Sequence, residues 1–233
     1  MTTTLITGAN QGLGFETARR LVAEGHTVYL GSRDAERGRR AADQLGGSAR
    51  TVQLDVTDDA SVAAAAKVVE DEGGLDVLVN NAGIAAEWGD DNQVIGAADV
   101  TADLMRRTFE TNVFGLVRVT HAFLPLLRRS AAPVIVNVSS GLASLSRIAT
   151  NPYPGVAYPA SKAAVNMITV QYAKALPEIR INAVEPGFTA TYLNRGKGRQ
   201  TVEQGAEVIV RMATVAPDGP TGSYSDVDGP LTW

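Results

Sequence analysis

The chain has 233 residues, a formal net charge of −4, 45% hydrophobic and 20% charged residues, and no cysteine. A chain of this size can bury roughly 70–75% of its unfolded surface without staples, and its composition is ordinary for a globular protein. Disulfides, thiol nucleophiles and thiolate metal sites are excluded; the two histidines, His26 and His121, lack ligand spacing, so no metal is expected. The acidic balance gives no footing for nucleic acid, whose binding rests on neutralising phosphate. No charged segment followed by a long apolar one opens the chain, and no run approaches roughly 18 apolar residues. Neither a secretory signal nor a membrane span is expected, and cytoplasmic residence follows by default.

Thr3 to Thr7 is predicted as a strand, and a helix is predicted over about Phe15 to Glu24, with Leu21 and Val22 on its apolar side. A second strand at Thr27 to Gly31 leads into a charged helix from about Asp34 to Leu45. A third, Arg50 to Leu54, precedes an Ala- and Val-rich helix over Asp58 to Asp71, opened by acidic residues that suit a helix N-terminus. The fourth strand, Leu75 to Val79, closes with Asn80-Asn81-Ala82-Gly83, and a less regular stretch runs from Ile84 to about Val100. One long amphipathic helix is predicted from about Ala102 to Arg129. Val134 to Val138 is a fifth strand ending at Ser139-Ser140, and a loop with Pro152, Pro154 and Gly155 leads to a helix over about Ala157 to Leu176. Arg180 to Val184 is a sixth strand ending at Pro186-Gly187, Gln200 to Ala213 is predicted helical, and a last short strand lies near Ser223 to Ser225.

The strands are short, β-branched and apolar on both faces, which requires helices on both sides of the sheet. Regular alternation with right-handed crossovers predicts an α/β fold: a single doubly wound Rossmann domain over 1–233, with a mainly parallel sheet of about seven strands. Such sheets bind ligands outside the carboxyl ends of their strands. The chemically suggestive clusters fall there: Gly8–Gly14, Ser32-Arg33, Asp55, Asn80–Gly83, Ser139-Ser140 and Pro186-Gly187.

Gly8, Gly12 and Gly14 form G-x-x-x-G-x-G after the first strand. Glycines allow positive φ and close approach, and the following helix N-terminus offers free N–H groups to a diphosphate. A flexible strand-to-helix turn is the plainer alternative. Asp55 can accept a hydrogen bond from an adenine amino group, whereas Asp58 reads as a helix cap. Asn81, Ala82 and Gly83 can form a small-residue ledge under a cofactor, with a bare loop as the plainer alternative. Tyr158 and Lys162 lie one helical turn apart and share a face, 18 residues after Ser140. An ammonium within ~4–6 Å lowers a tyrosine pKa, and the Ser140 hydroxyl can bind a carbonyl oxygen at the same point. Asn112 stands mid-helix, where asparagine is a poor helix former; a local bend with a water site and plain solvent exposure both account for it. Trp233 reads as a packed tail or an interface residue. Trp88, Ile148, Tyr153, Phe188, Tyr192 and Leu193 are candidates for an apolar pocket or for the core.

Together these residues resemble the short-chain dehydrogenase/reductase family. Thr7-Gly8-x-x-x-Gly12-x-Gly14, Asn80-Asn81-Ala82-Gly83, Asn112, Ser140, Tyr158-x-x-x-Lys162 and Pro186-Gly187 stand in the family's order across nearly the whole chain. Tyr158–Asn166 and Asp228–Trp233 are similar to its carbonyl-reductase-like branch. The interval from Ser140 to Tyr158 is longer than in many members. The resemblance implies catalytic roles for Asn112, Ser140, Tyr158 and Lys162. It implies cofactor contacts at Gly8, Asn10, Gln11, Gly12, Leu13, Gly14, Ser32, Arg33, Asp55, Val56, Asn81, Ala82, Gly83, Tyr158, Lys162, Pro186, Gly187, Thr189 and Thr191. In that mechanism Tyr158 protonates the developing alkoxide and Lys162 lowers the Tyr158 pKa and holds the nicotinamide ribose. Ser140 polarises the carbonyl, and Asn112 holds a water linking Lys162 to solvent.

The expected activity is oxidoreduction between a small-molecule ketone or aldehyde and an alcohol. Two other readings, an epimerase or dehydratase and a non-catalytic dinucleotide-binding protein, fit less well: little chain follows Pro186, and both Tyr158 and Lys162 are present. NADP(H) is expected over NAD(H), because an arginine at the second strand's end accommodates a 2′-phosphate where an acidic residue would bind the ribose hydroxyl. Ser32 and Arg33 hold that place, Asp34 starts the helix, and Arg37 is either a second phosphate ligand or solvated. A homo-oligomer, dimer or tetramer, is expected from apolar residues on several sides of the long helix: Val113, Phe114, Val117, Val119, Phe123 and Leu124. Internal burial of the same residues is the alternative.

Overall fold

The computed structural model describes residues 1–89 and 92–233. Strands β1 (Thr3–Thr7), β2 (Thr27–Ser32), β3 (Ala49–Gln53), β4 (Val77–Asn80), β5 (Val134–Val138), β6 (Arg180–Val184) and β7 (Tyr224–Ser225) form one sheet. Their order is β3-β2-β1-β4-β5-β6-β7, and every pairing is parallel. The order turns back between β1 and β4, so the crevice above their carboxyl ends is the natural ligand position.

The sheet lies between two helical layers. Helices α3 (Asp59–Asp71), α5 (Gly115–Leu127) and α7 (Ala157–Ala175) cover one face. They share a buried cluster with Leu5, Leu78, Ile135 and Ile181, to which Val62, Val69, Val119, Phe123 and Leu127 contribute. Helices α1 (Gly12–Ala23), α2 (Ala35–Leu45) and α8 (Val202–Ala213) cover the other face. There Ala18, Leu21, Ala41, Val208 and Ile209 pack on Ile6, Val28, Val79, Val136 and Val184. Leu5 and Ile6, neighbours in β1, belong to opposite clusters, as the two-residue period of a strand requires. Among the described residues no helix is long and apolar enough to cross a membrane.

The long helix expected over Ala102 to Arg129 is in three parts: α4 (Ala102–Phe109), a π-helical turn (Glu110–Phe114) and α5. Two contacts account for the wider turn. The Asn112 side chain is drawn to the backbone of Ile84, and Gly115 lies against Val56 so closely that a Cβ would stand 2.8 Å from Val56 Cγ2. Of the apolar residues read as an interface, Val113, Val119 and Phe123 are buried within the chain, whereas Phe114 is 51% exposed. The Gly141–Ala157 connection, expected as a loop, contains a 3-10 turn (Gly141–Ala143) and a short helix, α6 (Leu145–Ile148).

A buried polar ladder crosses the middle of the molecule. Asn80 Nδ2 donates to Asn137 Oδ1 at 2.9 Å and to Thr120 Oγ1 at 3.2 Å. Asn137 Nδ2 donates to Thr169 Oγ1 at 2.9 Å.

Candidate functional site

Helix α1 begins at Gly12 rather than at the expected Phe15, so the glycine turn itself forms the helix N-terminus. Gln11 caps it without a side-chain bond, and Asn10 and Leu13 are partly buried beside it. Gly14 is fixed by crowding: a Cβ there would stand 2.6 Å from Asn81 Nδ2 and 2.8 Å from the Gly8 carbonyl oxygen. Thr7 joins this turn to the end of β4. Its hydroxyl accepts from Asn81 N at 3.0 Å and Ala82 N at 2.9 Å, while Asn81 Nδ2 donates to Thr7 O at 2.8 Å. Thr191 lies over Gly12, within 4 Å of where a Cβ would be. Unpaired N–H groups at a helix start under close backbone approach suit a diphosphate.

At the end of β2, the Asp34 carboxylate caps α2, accepting from Glu36 N and Arg37 N, each at 3.0 Å. Arg37 leans on the same carboxylate at 3.4 Å. Arg33 is exposed and its guanidinium makes no ion pair among the described residues. Ser32 is buried and donates to Asp34 O at 2.8 Å. Asp55 Oδ1 accepts from Thr57 N at 2.9 Å and Thr57 Oγ1 at 2.7 Å. Burial pushes the Asp55 carboxyl up, but the Thr57 bonds, Arg33 and Arg118 together hold it below its usual range. Asp58 caps α3 through Ala60 N at 2.9 Å, as its position suggested.

Asn112 is 2% exposed, so solvent exposure does not explain it. Its Oδ1 accepts from Ile84 N at 2.8 Å, and its Nδ2 donates to Ile84 O and to Ser161 Oγ, both at 2.9 Å. Beside it lies a cavity of about 10 Å³, lined by Thr7, Val56, Asn80, Ala82, Asn112 and Lys162 among others. That is room for about one water, and Asn80 Oδ1 is a buried acceptor with no partner among the described residues.

Ser140, Tyr158 and Lys162 come together above β5. The Ser140 hydroxyl lies near enough to the Tyr158 phenol to favour its ionised form, and it accepts from Leu142 N at 3.3 Å. The Lys162 ammonium stands 5.7 Å from the Tyr158 ring centroid and donates to Val138 O at 2.7 Å. Ser139 turns away, donating to Asn166 Oδ1 at 2.6 Å. Burial lowers the Lys162 pKa to about 8. Burial also pushes the Tyr158 phenol up to about 12, with Glu185 and Glu87 adding to it and the Ser140 hydroxyl opposing. The lowering expected from Lys162 does not contribute to this shift, which burial dominates and only Ser140 opposes.

Pro186 and Gly187 follow β6, with Gly187 N bonded to Glu185 Oε1 at 3.0 Å. Thr189 is buried and its hydroxyl goes to Pro186 O at 3.0 Å, so of the two threonines it is Thr191 that reaches the glycine turn. Among the pocket candidates, Trp88 lies under Lys197, 4.8 Å from ring centroid to Nζ, and Tyr153 is tied to Glu87. Phe188 and Tyr192 are exposed. Trp233 is a packed tail, stacked on Tyr224 with centroids 5.4 Å apart.

The sequence reading passed over Thr7 as a hub and passed over Glu87, Glu185 and Tyr224 altogether. Thr7 stood within the quoted motif and Glu185 bonds Gly187 N two residues on, whereas Glu87 and Tyr224 carry no local signal, because their partners come from distant parts of the chain.

Comparison with known proteins agrees with this geometry. The short chain dehydrogenase family model matches residues 2–202. A short-chain dehydrogenase, anuI, from Penicillium roqueforti is 40% identical over 228 residues, covering 90% of this chain and 87% of that one. The structure of salutaridine reductase from Papaver somniferum is similar with a TM-score of 0.85 at 31% identity, covering 97% of this chain and 100% of that one. NADPH-bound carbonyl reductase from chicken fatty liver is similar with a TM-score of 0.84 at 29% identity, covering 100% and 99%. The chain belongs to the short-chain dehydrogenase/reductase family and is an oxidoreductase of carbonyl and alcohol groups.

Proposed function

We propose that this chain is an NADP(H)-dependent reductase of ketones or aldehydes, with Tyr158 as the general acid. The convergence of the Ser140 hydroxyl, the Tyr158 phenol and the Lys162 ammonium carries this reading. The glycine turn supports the cofactor: Gly14 leaves a cradle that a Cβ would fill, at the N-terminus of α1. A reduced nicotinamide supplies the hydride when bound there. Ser140 binds and polarises the carbonyl oxygen. Tyr158 gives its proton to the oxygen as negative charge develops. A phenol held near 12 is a weak acid at neutral pH, and the Lys162 charge stabilises the phenolate that remains. Water in the cavity beside Asn112 and Lys162 returns the proton.

Arg33, which stands at the end of β2 and makes no ion pair among the described residues, supports the preference for a 2′-phosphate. A homo-oligomer is part of the same proposal. Its support is an apolar groove of about 600 Å³ between α3 and α5, lined by Val62, Ala63, Phe114, Val117 and Ala122.

The test is NADPH oxidation by the purified chain against a panel of aldehydes and ketones. Turnover with stoichiometric alcohol formation supports the reading; tight NADPH binding without turnover of any carbonyl in the panel overturns it in favour of a dinucleotide-binding role.

A further inference from the structure

Glu87 is a carboxylate with 0% exposure. Its Oε1 accepts from the Tyr153 phenol at 2.8 Å, and its Oε2 accepts from the Tyr158 backbone N–H at 2.7 Å. Tyr153 belongs to the long Gly141–Ala157 connection. The Tyr158 N–H lies in the first turn of α7, where helix donors lack partners of their own and negative charge is favoured. The backbone of Glu87 is pinned as well, since its carbonyl accepts from Ile95 N at 2.8 Å and Trp88 bridges Val94. At Gly155 the connection passes directly over the carboxylate: a Cβ there would stand 2.2 Å from Glu87 Oε1. Among the described residues no cation pairs with Glu87, so two donated hydrogen bonds compensate a buried charge.

We propose that Glu87 is a positioning residue for the carbonyl chemistry, tying the Gly141–Ala157 connection to the first turn of α7 and so fixing Tyr158 against Ser140. The role in turnover rests on the reading of Tyr158 as the acid. The tie joins three segments that the sheet alone does not hold together: the stretch after β4, the connection after β5, and the helix carrying Tyr158. The Glu87 charge also acts on the phenol. Burial raises the Glu87 pKa, while the Tyr153 hydroxyl and the Tyr158 N–H pull it back, and both are donors, as an ionised carboxylate needs. That charge adds to the upward shift of Tyr158 and of Tyr153. The other groups facing Tyr158 are the Ser140 hydroxyl, the Glu185 carboxylate and the Lys162 ammonium.

Three variants separate the parts. Glu87→Ala removes the tie and the charge. Glu87→Gln removes the charge and keeps both bonds, since an amide can accept from the Tyr158 N–H and donate to the Tyr153 oxygen. Tyr153→Phe keeps the charge and frees the connection. Each is assayed for NADPH-dependent reduction of a carbonyl that the unmutated chain accepts, across neutral and alkaline pH, together with NADPH binding. Small displacements near reacting groups cost up to ~10²-fold. Glu87→Ala is therefore expected to lower kcat by about tenfold or more with NADPH affinity within about twofold. Glu87→Gln is expected to recover most of that loss near neutrality. Unchanged kcat in both Glu87→Ala and Tyr153→Phe overturns the proposal, as does a loss of kcat matched by a loss of NADPH binding. Should Glu87→Ala not fold, Tyr153→Phe, which loses a single hydroxyl, decides by the same criterion. Hydrogen exchange of the Tyr158 amide reads the tie without turnover and is expected to be faster in Glu87→Ala than in Glu87→Gln. An unmutated chain that reduces no carbonyl overturns the reaction, whereas unchanged exchange in Glu87→Ala overturns the tie, so the two failures are told apart.

Discussion

The phenol of Tyr224 donates a 2.6 Å hydrogen bond to the backbone carbonyl of Ser140. Tyr224 is 1% exposed and Trp233 stacks on its ring, so the last strand of the sheet holds the residue proposed to bind the carbonyl. Tyr224→Phe leaves that carbonyl without its partner, which costs ~1–3 kcal/mol. The melting temperature is expected to fall by roughly 2–4 °C per kcal/mol lost. Turnover is expected to fall several-fold with NADPH affinity intact, because the Ser140 backbone shifts and the glycine turn does not. Scanning calorimetry beside steady-state kinetics checks both; unchanged melting and unchanged kcat would show that the bond holds nothing in place.

Tyr158→Phe removes the proton donor and little volume. General acid catalysis contributes typically ~10²–10⁴-fold, and a loss of that size is expected, with NADPH binding close to normal. More than about a tenth of wild-type turnover, with chemistry shown to limit the rate, counts against Tyr158 as the acid.

The pH dependence follows from two shifts of opposite sign. Lys162 is lowered to about 8 and Tyr158 is raised to about 12. Reduction needs both protonated, and the ammonium is present below about 8 and lost above it. Carbonyl reduction is therefore expected to be level near neutrality and to fall as pH rises through about 8, while alcohol oxidation rises over the same range. The apparent values belong to the Tyr158–Lys162 pair. A kcat/KM profile for reduction that stays level far above pH 8 would exclude Lys162 from the proton path.

Arg33→Ala tests the cofactor preference. A charge-assisted hydrogen bond contributes ~1.5–3 kcal/mol, roughly 10- to 150-fold in affinity. Ser32 already donates to Asp34 O and Gln11 carries no charge, so the preference rests mainly on Arg33. The KM for NADPH is expected to rise by that factor and the KM for NADH to stay nearly the same. Equal kcat/KM for the two cofactors in the unmutated chain would leave nothing for Arg33 to explain.

Light scattering at micromolar concentration is expected to give at least twice the chain mass of 24.5 kDa. Phe114→Asp, placed in the apolar groove between α3 and α5, is expected to shift the assembly toward a single chain. A mass near 24.5 kDa for the unmutated protein refutes the homo-oligomer.

What could be read from the sequence divides by the range of the cause. The sheet was legible because strands such as Leu5–Ile6 and Val134–Val138 are apolar on both faces, and that requirement is local. The glycine turn was legible too, but not the start of α1 at Gly12, since a glycine lowers helix propensity wherever it stands. The π-helical turn at Asn112 was half-legible: the asparagine was out of place, while the reason for it, the Ile84 backbone, lies 28 residues away. Glu87 was not legible at all. Its partners, Tyr153 and Tyr158, are 66 and 71 residues downstream, and a lone Glu in an irregular stretch reads as solvated. NADP preference and oligomer formation depend on groups outside the chain and stand as proposals.

The polar ladder at the centre of the sheet has a consequence for folding. Asn80 and Asn137 stand directly opposite each other in the β4–β5 register. A slip of one residue would turn each strand's side chains to the other face and leave two amides unpaired in an apolar interior. Purely aliphatic strands such as Val77–Val79 and Val134–Val136 discriminate poorly between neighbouring alignments, and the amide pair supplies the difference. The loops Asn81–Gly83 and Ser139–Ser140 grow from the ends of these two strands, so their phase relative to each other is set by two side chains buried beneath them.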